Sequence, residues 1–107
     1  MTGRVVALVS DLMDRSRIFA ALPQVEFVND AASGEGAAFV VIDLARHADA
    51  VADVRRLCPE ARIVAYGSHV DEATLEAARI AGAEMVLPRS RFFRDPAGAL
   101  GDVETLE

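Results

Sequence analysis

Short runs of apolar residues alternate along this chain with longer segments in which apolar positions recur every three or four residues. Arg4 to Val9, Val25 to Val28, Ala38 to Ile42, Arg62 to Tyr66 and Glu84 to Leu87 read as strands. Four of these five are nearly continuous apolar runs, the pattern of parallel strands covered on both faces rather than the alternation of a half-solvated sheet. Between them, Leu12 to Leu22 reads as a helix with Leu12, Phe19 and Leu22 on one face, ended by Pro23. Val51, Val54 and Leu57/Cys58 carry a second helical stripe, closed by Pro59. The best punctuated helix follows Asp71, which can cap the N–H of Ala73 or Thr74, with Val70 stapled on Leu75 and Gly82 as the left-handed stop. Asp95-Pro96 opens a short last helix predicted to reach about Leu106.

Strand and helix in alternation make a single α/β domain over residues 1–107, a doubly wound parallel sheet of the flavodoxin-like kind with strand order 2-1-3-4-5. The connection Asn29 to Ala37 is only nine residues and rich in glycine and alanine. A parallel crossover usually takes about 10–12, so the second crossover is shortened and holds at most one helical turn.

Composition narrows the function. With 11 basic against 17 acidic residues the net charge is −6, which repels a phosphate backbone or an anionic membrane. No nucleic acid or membrane partner is expected. A single cysteine, Cys58, no signal-like N-terminus and no apolar run near the roughly 20 residues of a membrane span place the chain in the cytoplasm. Cys58 falls on an apolar helical face and reads as core. With only His47 and His69 present and no cysteine near either, a zinc site is not expected. The glycine-rich dinucleotide fingerprint, the phosphate-binding loop, the Gly-x-Ser-x-Gly elbow and Cys-x-x-Cys are all absent, so the chain is not expected to be an enzyme.

In an open parallel sheet, chemistry sits where loops leave the carboxyl ends of the strands. Here those ends carry Ser10-Asp11, Asp43, Gly67-Ser68-His69 and Pro88-Arg89-Ser90. On adjacent strands, Asp11 and Asp43 could share a hard cation such as Mg²⁺.

Val-Ile-Asp-Leu around Asp43, and Ala-Ala-Arg-Ile-Ala-Gly-Ala-Glu before Val-Leu-Pro-Arg, resemble the receiver domains of two-component response regulators over roughly Arg4 to Phe93. The resemblance implies a phospho-accepting position at Asp43, a Mg²⁺ held by Asp11 and Asp43, and switch positions at Gly67, Ser68 and Arg89. It also implies a weakened site. Of the acidic pair after the first strand only Asp11 is present beside Ser10. The hydroxyl residue after the fourth strand falls on Gly67, with Ser68 next to it, and the lysine after the fifth falls on Arg89. Phosphoryl transfer to a carboxylate relies on metal and positioned positive charge, so these changes mark a degenerate receiver.

Simpler roles stand beside these. Asp11 can cap the first helix, Asp43 the segment after it, and Ser68 and Asp71 suit a turn and a cap. Arg89 is expected to form an ion pair with Asp43. Met85 and Phe92 are expected at a protein contact, with Phe93 buried. The expected function is that of a stand-alone signalling domain acting through protein contacts, as a homodimer or with a larger partner, without efficient phosphorylation. No cofactor is expected apart from that Mg²⁺. The alternative is a working Mg²⁺-dependent phosphoacceptor at Asp43.

Overall fold

Alternate residues along each strand divide between two layers, and the division builds the molecule. The computed structural model describes residues 3–101. Its five strands are β1 (Val5–Leu8), β2 (Glu26–Phe27), β3 (Phe39–Asp43), β4 (Arg62–Gly67) and β5 (Met85–Pro88). They pair in parallel in the order β2-β1-β3-β4-β5, the doubly wound flavodoxin-like arrangement that the apolar runs predict.

The helices are α1 (Leu12–Ala21), α2 (Leu44–His47), α3 (Ala50–Leu57), α4 (Glu72–Ala81), α5 (Arg89–Arg94) and α6 (Pro96–Ala99). On one face of the sheet Val6, Leu8, Val40, Ile42, Ile63 and Ala65 pack with Val51, Val54, Cys58, Leu75 and Ala78 from α3, α4 and the loop between α3 and β4. On the other, Val5, Ala7, Val41, Val64 and Tyr66 pack with Ile18, Phe92, Ala99 and Leu100 from the α1, α5 and α6 side. A fully buried Val, Leu or Ile stabilises the fold by roughly 1.5–3 kcal/mol, so both layers are needed to hold the sheet.

The shortened second crossover is a single 3₁₀ turn, Ala32–Gly34. Asp30 Oδ1 caps it by accepting from Ser33 N at 2.9 Å and Ser33 Oγ at 2.8 Å. Arg4 Nη1 donates to the Glu35 carbonyl at 2.9 Å and Nη2 to the Ser33 carbonyl at 3.1 Å, so β1 clamps the turn that a longer helix would otherwise fill.

The expected punctuation holds at several points. Asp71 Oδ1 accepts from Thr74 N at 3.2 Å, and Gly82, at φ 120°, ends α4. A Cβ at Gly82 would also stand 2.6 Å from Arg55 Cδ. That closeness serves Arg55, whose Nη1 donates to the Gly82 carbonyl at 3.0 Å and to Glu84 Oε2 at 2.8 Å, fastening α3 to the start of β5.

Four local expectations are corrected. On α1 the inward stripe is Asp14, Ile18 and, at the cap, Leu22, while Leu12 and Phe19 are 77% and 54% exposed. Val70 is exposed and makes no staple. Helix α5 follows β5 directly, where no helix is predicted. The Asp95-Pro96 helix is the four-residue α6, capped by Asp95 Oδ1 on Gly98 N at 3.0 Å, and the predicted stretch to Leu106 lies outside the described residues.

Candidate functional site at the carboxyl edge of the sheet

The β3 and β4 register sets Asp43 beside Tyr66, and the β4 and β5 register sets Gly67 beside Pro88, which precedes Arg89. Helix α1 leaves the neighbouring end of β1 with Asp11 as its cap: Asp11 Oδ1 accepts from Asp14 N at 3.0 Å. Asp14 lies one helical turn before buried Ile18 and shares its inward face.

Asp14 is 2% exposed, and it is the hub of the site. Arg89 Nη1 donates to Asp14 Oδ2 and Arg89 Nη2 to Asp14 Oδ1, each at 2.8 Å, a bidentate pair. Tyr66 Oη donates to Asp14 Oδ2 at 2.9 Å. The pairing with Arg89 expected of Asp43 is thus made by Asp14, whose inward position on α1 brings its carboxylate to the guanidinium first. Hydrogen bonds from Arg89, opposed by burial and helped by Tyr66, hold the Asp14 carboxyl below the usual carboxylate range. Bonding to Asp14 raises Arg89 further above its already high value. Burial, then the Asp43 charge and the bond to Asp14, push the Tyr66 phenol up, so it stays a proton donor.

Aromatic rings wall this network. Tyr66 stacks on Phe92 at 4.7 Å between centroids, and Phe93 meets both edge-on at 5.0 and 4.9 Å. Arg17 lies over the Phe93 ring at 4.3 Å and Arg89 at 5.1 Å. Phe92, expected at a contact, is 0% exposed, and Phe93, expected to be buried, is half-buried against the core under two guanidiniums. The reversal follows from α5: a helix beginning at Arg89 turns Phe92 onto the sheet and leaves Phe93 beside the arginines. Met85 is half-buried at the edge strand.

Asp43 is equally buried at 2%, but its neighbours differ. Its Oδ1 accepts from Ala45 N at 3.0 Å, capping α2. Burial raises its proton affinity, the Ala45 bond and the charges of Arg89 and His47 lower it, Asp14 raises it, and the net direction is upward.

At the positions expected to switch, Gly67 is packed and Ser68 is exposed. A Cβ on Gly67 would meet Leu44 Cβ at 3.2 Å and Leu75 Cδ2 at 3.4 Å, so two leucines close over the end of β4. Ser68 is exposed, and its Oγ accepts from Val70 N at 3.3 Å, a turn contact. Ser10, where a receiver carries an acid, is exposed, and its Oγ lies 2.9 Å from His47 Nε2. Asp11 and Asp43 each have an oxygen committed to a backbone N–H, Asp14 is held by Arg89, and Ser10 offers a neutral hydroxyl. That donor set, beside a fixed guanidinium, does not match the oxygen-rich anionic cradle of a hard divalent cation. Among the described residues no group of three or more His, Cys, Asp or Glu is placed to hold a metal ion.

Asp14 and Tyr66 are the members of this site that motif reasoning misses. Their signal is phase: Asp14 precedes buried Ile18 by one helical turn, and Tyr66 is a polar-tipped residue inside an otherwise apolar strand.

No protein-family model matches the chain, and no curated protein matches it. Solved structures do. A response regulator from Burkholderia pseudomallei, solved with a phosphorylated aspartic acid, a calcium ion and citrate, is 18% identical and superposes with a TM-score of 0.76 over 92% of this chain. A response regulator receiver domain from Clostridium thermocellum is 14% identical, with a TM-score of 0.76 over 94% of this chain and 93% of its own length. NtrX from Brucella abortus is 15% identical, with a TM-score of 0.75 over 94% of this chain. The chain spans 66% of the Burkholderia protein and 28% of NtrX. It has the response regulator receiver fold. Among the described residues no helix is long and apolar enough to cross a membrane.

Proposed function

We propose that this chain is a degenerate receiver: a non-enzymatic, cytoplasmic signalling module that works through protein contacts, as a homodimer or with a larger partner, without relying on phosphoryl transfer to Asp43. The observation that carries the reading is the bidentate pair between Arg89 and Asp14, closed by the Tyr66 hydroxyl. A phosphoryl group arriving at a carboxylate brings several crowded anionic oxygens, and catalysis of that transfer rests on free positive charge and metal. Here the guanidinium at the end of β5 is spent on an internal carboxylate, and the leucines over Gly67 fill the place where a hydroxyl would follow the new charge. A phosphorylated Asp43 would then lack the differential contacts needed to shift a conformational equilibrium.

The test is an amide NMR titration of the full chain with Mg²⁺ and then beryllium fluoride, a phosphoryl mimic, in the wild type and in Asp43→Asn. Under this reading, millimolar metal and mimic leave the amides of Asp11, Asp43 and Ser68 where they are. Saturable shifts at those residues that disappear in Asp43→Asn would overturn it and establish a working phosphoacceptor instead.

A further inference from the structure

Ser10 stands at a sharp passage from strand to helix. Val9 before it is buried in the sheet, Asp11 after it caps α1, and its own side chain is exposed above the carboxyl edge. That exposure leaves the hydroxyl sterically open to an incoming electrophile. Its hydroxyl is also within 2.9 Å of His47 Nε2. In the tautomer protonated on Nδ1, that nitrogen accepts the Ser10 proton, which is the geometry of a nucleophile and its general base.

His47 closes α2, the helix that Asp43 caps, so base and carboxylate lie one helical turn apart on the same short element. The His47 charge acts on the Asp43 carboxylate and lowers its proton affinity. The charged groups facing this edge are Asp11, Asp14, Asp43 and Arg89. The last is paired with Asp14.

We propose that Ser10 is a reactive nucleophile, with His47 as its general base, that accepts an acyl group from a small activated ester. In the step, Ser10 Oγ attacks the ester carbonyl carbon while its proton passes to His47 Nε2. The bond from carbonyl carbon to the leaving alkoxide or aryloxide then breaks, and that oxygen takes the proton from His47. The product is an O-acyl Ser10 and a free alcohol or phenol. The edge around Ser10 is open, so the site selects for donor activation rather than for the shape of a long acyl chain. The proposal is independent of whether Asp43 accepts a phosphoryl group.

The probe is p-nitrophenyl acetate, added to the full chain and followed by p-nitrophenolate release, intact mass and peptide mapping. All 11 basic residues are arginine, so no lysine amine competes for the acetyl group. One acetyl on Ser10 is expected, absent in Ser10→Ala and formed about tenfold or more slowly in His47→Gln, the usual scale of lost general-base catalysis. Circular dichroism melts check that both variants fold. Wild-type protein that acquires no acetyl on Ser10, or a folded His47→Gln that reacts at the wild-type rate, would overturn the proposal. Neither result bears on the beryllium fluoride titration, which reads Asp43.

Discussion

Asp14 and Asp43 sit within one edge of one sheet, each 2% exposed, and their surroundings drive them in opposite directions. Asp14 receives two hydrogen bonds from a guanidinium and one from a phenol, and its proton affinity falls. Asp43 receives one backbone N–H, and its proton affinity rises. Burial pushes both upward; at Asp43, with one backbone donor, it prevails, and at Asp14 the donors from Arg89 and Tyr66 overcome it. In this chain the stronger electrostatic support goes to the carboxylate on α1, not to the one at the end of β3.

The largest expected effect in this pair comes from taking Arg89 away. Arg89→Met keeps the length of the side chain but strands a buried carboxylate. Loss of one partner of a fully buried pair costs about 3–5 kcal/mol. Because the Arg89 side chain is 41% exposed, water recovers part of this, and about 2–3 kcal/mol is expected in urea unfolding. Tyr66→Phe removes one donor while preserving the stack on Phe92, and should cost about 1–2 kcal/mol in the same measurement. The smallest change has the opposite sign. Asn at 43 can still cap Ala45 N but carries no charge, so Asp43→Asn should raise the melting temperature at pH 7.

The two carboxylates also predict opposite pH dependences. The folded-state pKa of Asp14 lies below its unfolded value, so its contribution is complete above the usual carboxylate range of about 4 and is lost as acid protonates it in the fold. The folded-state pKa of Asp43 is raised, so its ionisation costs stability at neutral pH, and the cost is relieved as pH falls toward the unfolded value. Stability measured from pH 7 downward should therefore show the Asp43→Asn advantage shrink toward acid. Asp14→Asn, less stable at neutrality, should lose less than the wild type below about pH 4. Parallel curves for all three proteins would show that neither carboxylate is set apart by its partners.

Most of the fold is legible in the chain because it rests on local periodicity. Continuous runs such as Phe39 to Ile42 need cover on both faces, and Asn29 to Ala37 is too short to hold more than the 3₁₀ turn observed. Caps such as Asp71 and Asp95 are also local and come through. The site is less legible, since its pairings span 52 and 75 residues and depend on which way each helix is rotated. Leu12, Phe19 and Leu22 make a more apolar stripe than Asp14, Ile18 and Leu22, yet the charged stripe is the one that faces the sheet. Apolar counting prefers the first and cannot anticipate that a distant arginine makes the second affordable. The same error of phase misplaces Phe92 and Phe93, because a helix starting immediately after β5 carries no cap to announce it: Pro88 precedes it with no side-chain hydrogen bond.

Gly67 bears on how two helices are placed. Leu44 and Leu75 stand close to where a side chain at that position would be, with Leu44 Cβ only 3.2 Å from the space a Cβ would take. Reinstating serine or threonine there meets neighbours that must give way by tenths of an ångström, and the arginine that would have to release its carboxylate lies on another helix. Any side chain introduced at residue 67 therefore asks Leu44 and Leu75, on two different helices, to shift together. The glycine thus works as a seam, where the positions of two helices are set against one strand end.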